Sequence, residues 1–191
     1  MESLKKVLLF FVIFSGFSGV FAQKVTTQAI DKPSEGKSLV YILKTGAGML
    51  LNFRVYDKDK FLGAIPSGKY LVYECDPGEH VFWATSENRD YIEANLEPNA
   101  VYVINAVGEM GAFIASVNLR PLNPAEFRDR KLFYQIVKNN TKILYQPSQD
   151  DKSENIAKAM EKYQDLKSRN SNKIAVLSSD MKFENADKPT K

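Results

Sequence analysis

KYLVYECDPGEHVFWAT, residues Lys69 to Thr85, sets two β-prone runs on either side of a turn signal, and how it folds decides the architecture. In Asp76-Pro77-Gly78-Glu79 the proline fixes one φ and the glycine supplies a positive one, which reverses or redirects the chain. The alternation before it puts Leu71, Tyr73 and Cys75 on one side and Tyr70, Val72 and Glu74 on the other. Both sides are apolar near the start, so the strand is expected to be central and covered on two faces. If Asp76 to Glu79 form the loop of a hairpin, Cys75 faces His80 and Tyr73 faces Phe82 across it. Pro-Gly of L-residues also suits turns whose twist does not match a tight two-residue hairpin, and a three-residue loop would pair Cys75 with Glu79 instead.

The same grammar continues in both directions. Leu39 to Leu43, Leu51 to Tyr56, Lys60 to Ile65, Tyr70 to Cys75, His80 to Thr85, Tyr91 to Leu96, Val101 to Val107 and Phe113 to Arg120 are short runs rich in Val, Ile, Tyr and Phe. TGAG, DKDK, PSGK, DPGE, ENRD, EPNA and GEMG punctuate them at intervals of about ten residues, the spacing of an all-β sandwich or barrel built from consecutive hairpins. The expected fold is therefore mainly β: an antiparallel β-sandwich of about seven to eight strands over residues 38–122. No helix of useful length fits inside this region, which argues against nucleotide-binding α/β folds.

The flanks read differently. Residues 1–22 open with Lys5 and Lys6, continue through an apolar run from Val7 to Phe14 and close on small residues before Ala22, the pattern of a cleaved secretory signal peptide. Ser15, Gly16, Ser18 and Gly19 interrupt the apolar stretch short of the roughly twenty residues a bilayer span needs, so no transmembrane span is expected after cleavage. Residues 23–37 form an N-terminal lead. Within 123–147, Asn123, Pro124 and Glu126 make a helix start signal, yet the segment that follows reads equally as a hairpin turning at Asn139 and Asn140. From 153 to 169, Ile156, Ala159, Met160, Tyr163 and Leu166 recur at helical spacing, with Glu154–Lys158 and Asp165–Arg169 as i,i+4 pairs, so an amphipathic helix is expected. About two heptads are too few for a coiled coil, which favours docking of the stripe on the sandwich. Residues 170–191 are polar around one apolar island, IAVL, and are expected to form a mobile tail.

Composition bounds the role. With 44% hydrophobic and 26% charged residues and a formal net charge of +3, the chain gives no electrostatic reason to expect nucleic acid or an anionic membrane as partner. Cys75 is the one cysteine, so no internal disulfide can form and packing must supply the stability.

Cys75 and His80, the one histidine, are the reactive pair. Structural zinc takes four ligands and catalytic zinc three, so one thiol and one imidazole would need carboxylates for which the sequence gives no spacing. A thiol–imidazole dyad needs an orienting acid, for which Asp76 or Glu79 is the candidate, and oxyanion donors besides. No catalytic, cofactor or metal residue is therefore assigned, and Cys75 and His80 are expected to be structural. Asp57 to Gly63 begins like a calcium loop, but Phe61 and Gly68 stand where ligands belong, so it reads as a charged hairpin turn. Gly46 to Gly48 lacks the third glycine and following helix of a dinucleotide fingerprint. Asn139 to Thr141 is a glycosylation sequon only where the source glycosylates exported proteins.

YLVYECDPGEHVFWATSE resembles the strand, Pro-Gly turn, strand signature of PEGA-type bacterial surface domains. The block from Ser38 to Leu122, with RVYDKDKFLGAI, a GKY step, the PGEH turn, LEPNAVY and a glycine-to-alanine step into the last strand, resembles the bacterial envelope family of unknown function numbered 2846. The resemblance implies a secreted β-sandwich with no catalytic residues to carry over. The chain departs from the commoner pattern by lacking a lipobox cysteine and by adding the C-terminal helix and tail.

The functional expectation is a secreted or periplasmic binding or assembly module, without enzymatic activity, for a cell-envelope protein or glycan. Its interaction residues would be the helix stripe of Ile156, Met160 and Tyr163, with Tyr91 and Trp83 as a possible aromatic platform. A small-molecule or lipid carrier with a cavity between the sheets is the alternative. A Cys/His hydrolase or metalloprotein is the third.

Overall fold

The computed structural model describes residues 29–46, 52–110, 115–145 and 153–190. The expected signal peptide and the first part of the lead lie outside the described residues. Among the described residues the chain runs through β1 (Ser38–Gly46), β2 (Phe53–Asp57), β3 (Lys60–Ile65), β4 (Lys69–Cys75), β5 (Gly78–Thr85), β6 (Arg89–Leu96), β7 (Val101–Met110) and β8 (Ala115–Pro121), and then α1 (Phe127–Asn139), β9 (Thr141–Leu144), α2 (Ser153–Ser168) and β10 (Ile174–Leu177).

Two five-stranded sheets result, in the orders β8-β7-β1-β4-β9 and β10-β6-β5-β2-β3. The expected all-antiparallel meander is thus corrected to ten strands in two mixed sheets. β1 lies parallel to β7, β4 to β9, and β6 to β10, while the other pairs are antiparallel. Parallel strands need both faces covered, and β1 supplies this with Leu39 through Leu43 all buried. Near its end β1 closes on β7 at Gly46, whose φ of +86° and contact with Gly108 leave no room for a side chain.

The turn after Cys75 does not make a hairpin. β4 belongs to the first sheet and β5 to the second, so Asp76–Pro77 carries the chain across the end of the sandwich, with Gly78 at φ +112° completing the change of direction. Cys75 consequently pairs with Ser38 and His80 with Ala94, correcting the cross-hairpin register. Tyr73 and Phe82 still meet, edge to face across the interior with ring centroids 6.4 Å apart.

Val40, Ile42, Leu71, Tyr73 and Cys75 from the first sheet interleave with Phe53, Val55, Phe82, Ile92 and Leu96 from the second to form the central core. The opposite face of β4, Tyr70 and Val72, packs with Tyr41 under α1, where Phe133 stacks edge-on against Tyr41 at 5.2 Å. This settles residues 127–145 as helix then strand. Asp129, buried in the first turn of α1, accepts two hydrogen bonds from Arg120 and one from the Asn123 N–H, which anchors the helix to the end of β8.

The tail is likewise corrected from mobile to packed. After β10 the chain leaves the second sheet, donates from the Phe183 N–H to the carbonyl of Val101 at the start of β7 in the first, and buries Phe183 and Ala186 beside Phe133. Lys182 pairs with Glu97 and the Tyr102 hydroxyl donates to the Ser179 carbonyl along the way. The tail is a strap across both layers.

The two outer strands of the first sheet are treated differently. Asn88 donates to the Val117 carbonyl and accepts from the Val117 N–H, and Asp90 accepts from the Leu119 N–H. These side chains replace a neighbouring strand along β8. Along β9, the N–H groups of Thr141 and, just beyond the strand, Tyr145 donate to the carbonyls of Gly68, just before β4, and Val72 within it, which turns the N–H groups of Lys142 and Leu144 outward.

Candidate functional site

The reactive residues gather at the end of the sandwich crossed by the β4–β5 connection. Asp57 closes β2, Tyr73 and Cys75 close β4, His80 lies in the first half of β5 and Lys60 opens β3. His80 Nδ1 lies 2.7 Å from Asp57 Oδ2, and its Nε2 lies 2.9 Å from the Asp76 carbonyl. Both neighbours are acceptors, so both ring nitrogens donate and the ring is an imidazolium. Burial alone would lower its pKa, but hydrogen bonding to Asp57, reinforced by the Cys75 sulfur, outweighs this and holds it up at about 10. The ring stacks on Phe82 at 5.5 Å.

Asp57 is nearly enclosed. Its Oδ2 also accepts from the Tyr73 hydroxyl at 3.2 Å, and Lys60 Nζ donates to that hydroxyl at 3.3 Å while lying over the rings of Tyr73 and Tyr145. Its Oδ1 is buried and has no hydrogen-bond partner among the described residues. Burial, then the Asp57 charge, pushes the Tyr73 hydroxyl well above the usual phenol range. Cys75 is buried, its Sγ 3.9 Å from the Ser38 carbonyl.

Asp57 is thus the acid that orients His80, correcting the assignment to Asp76 or Glu79. Asp76 contributes only its carbonyl, while its exposed carboxylate pairs with Lys37 at 2.6 Å. Glu79 points to solvent. An imidazolium with both N–H groups spent cannot accept a proton from a thiol, so the arrangement works as a charge clamp joining β2, β4 and β5 and not as a base and nucleophile. Among the described residues no group of three or more His, Cys, Asp and Glu could hold a metal ion.

The five expected interaction residues do come together, on the outer face of the second sheet. Trp83 and Tyr91 are buried there with Tyr56, and α2 lies on them with Ala159 and Tyr163 buried and Ile156, Met160 and Leu166 half-buried. Tyr56 and Trp83 stack at 3.9 Å, and the Tyr91 hydroxyl donates to the Ala159 carbonyl. Tyr163 donates to Glu93 at 2.6 Å, and Lys167 pairs with the same carboxylate. The stripe and the aromatic residues therefore face each other and not a partner.

Where α2 ends, the face stays open. A cleft of about 380 Å³ is lined by Val81, Glu93 and Val176 on its floor, by Tyr163 and Lys167 from the helix, and by Lys58 and His80 at one end. Val176 is 59% exposed. On the other sheet Leu144 of β9 is 60% exposed, a signal absent from the sequence because β9 itself was ambiguous there. No helix among the described residues is long and apolar enough to cross a membrane. The chain matches no protein-family model, no curated protein and no solved structure with which it was compared.

Proposed function

We propose that this chain is an exported, non-enzymatic β-sandwich of the kind the envelope-domain resemblance implies, working in the secreted or periplasmic space by binding a cell-envelope partner. The observation that carries the reading is the border at β9, which no strand among the described residues pairs on its outer side, where Lys142 and Leu144 turn backbone groups outward and Leu144 is exposed. The opposite border at β8 is occupied by Asn88 and Asp90. An extended segment of a partner protein can add a strand at β9, with main-chain hydrogen bonds giving affinity and the Leu144 side chain contributing selectivity. The helix stripe, used internally, braces the fold.

Leu144→Pro removes an outward N–H while leaving the bonds to β4 in place. The expected outcome is retained β-structure by circular dichroism with capture from the protein's own envelope fraction reduced at least about tenfold, equivalent to about 1.4 kcal/mol. Undiminished capture by that variant would remove the support for strand addition.

A second reading, the small-molecule or lipid carrier, is favoured by the cleft beside α2, which joins apolar Val81 and Val176 to Lys58 and Lys167. It lies on the outside of the second sheet, while the space between the sheets holds the central core. A carrier releases a stoichiometric small molecule on denaturing mass spectrometry of gently purified protein.

A further inference from the structure

The net charge of the chain is an average, and one element concentrates it. α1 carries Arg128, Arg130, Lys131 and Lys138 against a single acid, Asp129, an excess as large as that of the whole sequence. Asp129 is buried and spent on Arg120 from β8, and Arg130 is folded back onto the Pro124 and Ala125 carbonyls. The other three cations are exposed.

At ~3.6 residues per turn, Lys131 and Lys138 fall on the side of α1 opposite Phe133, which is buried against Tyr41 and Phe183. Arg128, Lys131, Gln135 and Lys138 recur at helical spacing and form one exposed line directed away from the first sheet. The line is about 15 Å long at ~1.5 Å per residue. Arg128 and Lys131 make no ion pair among the described residues. Lys138 leans on a neutral partner, donating to the Tyr134 hydroxyl with its ammonium 5.4 Å from the centre of that ring. Glu126, at the N-cap, is the exposed acid nearest in sequence, and it adjoins Arg128 more closely than Lys131 or Lys138.

Phe127 gives the line a second character. It precedes Lys131 by one turn and so shares its side of the helix, is only half-buried, and belongs to none of the buried clusters among the described residues. A line of cations alone suits any polyanion. A ring beside it suits a surface offering anionic head groups and acyl chains together, because aromatic rings settle at head-group level while long cationic side chains reach the phosphates around them.

From Phe127, Arg128, Lys131 and Lys138 on the outward side of α1, we infer that the protein docks this helix flat on an anionic phospholipid bilayer. Each cation strengthens such partitioning about fivefold, so three cations and one ring make a reversible attachment. The inference goes beyond strand addition: β9 is a margin of the first sheet, whereas α1 covers its outer face, so the two surfaces are separate.

The chain as exported is mixed with vesicles of phosphatidylcholine, either alone or containing phosphatidylglycerol, and the bound fraction is read after sedimentation. Binding should require phosphatidylglycerol and weaken as salt is raised. It should fall at least about tenfold in a Lys131→Gln, Lys138→Gln double variant with unchanged circular dichroism, since both side chains are exposed and their replacement spares the fold. Phe127→Ala should also weaken it, which attraction by charge alone does not require. Equal binding to both kinds of vesicle, or an undiminished double variant, would overturn the inference. So would a Phe127→Ala protein that binds as the parent does while soluble polyphosphate competes for the line, an outcome that points to an acidic polymer in place of lipid. No envelope protein enters this assay, so its failure leaves the β9 reading untouched.

Discussion

Removing the imidazole of His80 leaves the Asp57 carboxylate enclosed with the Tyr73 hydroxyl as its remaining hydrogen-bond donor. Breaking one side of a buried pair costs about 3–5 kcal/mol, because a charge stays behind uncompensated, so His80→Ala should lower the unfolding free energy obtained from denaturant titration by that amount. The pH dependence has a definite sign. His80 ionises near 6.5 when unfolded and at about 10 when folded, so its contribution is complete below pH 6.5 and fades as pH rises through 10. Denaturant titrations of the parent between pH 6.5 and 10 should show falling stability, and His80→Gln should flatten that slope. A parent curve that rises over this interval would contradict the clamp. Of this cluster, the sequence showed Cys75 and His80 because they are unique and close together. Asp57 was hidden, since 23 residues separate it from His80 and only the sheet pairing joins them. In the sequence Asp57 stands in a charged turn motif, and nothing local marks it as the end of a strand that meets β5.

The elements divide by how far each carries its own stabilising signal. β1 through β8 were legible because β-branched and aromatic runs bounded by Gly, Pro, Asn and Asp specify strands locally. α2 was legible from its stripe, and the pairs Glu154–Lys158 and Asp165–Arg169 form as the spacing requires. β9 and β10, four residues each, depend instead on the strands they join, as the tail depends on what Phe183 meets. A polar segment with one aromatic anchor has the composition of a loose end, and its docking cannot be seen without Phe133 in place. Phe183→Ala deletes that anchor and should destabilise the protein by about 3–5 kcal/mol, the range for a large aromatic removed from a core. Hydrogen exchange should quicken over residues 178–190 in this variant. An unchanged thermal midpoint would mean the strap contributes nothing to the fold.

At the scale of the whole molecule, composition and punctuation led correctly to a mainly β fold, while the order of strands escaped them. Consecutive strands were expected to be neighbours, and several are, in β2–β3, β5–β6 and β7–β8. Yet the Pro-Gly segment looks alike whether it closes a hairpin or crosses between layers, and what distinguishes the cases is the distant strand that each side meets. β1 finds β7 some sixty residues later, and β10 closes the second sheet from the far end of the chain. Such pairings must close long loops before any contact rewards them, so refolding should take milliseconds to seconds, not microseconds. Stopped-flow emission from Trp83, in the buried cluster under α2, is the measurement.

The side chains that occupy β8 also set a limit on growth. With one margin of the first sheet saturated by Asn88 and Asp90 and the other unpaired among the described residues, a strand added at β9 would find no vacant margin left on the far side of this sheet. Under the proposed strand addition, joining through this sheet would end with the first guest, because a few polar atoms on the second layer already occupy its far margin.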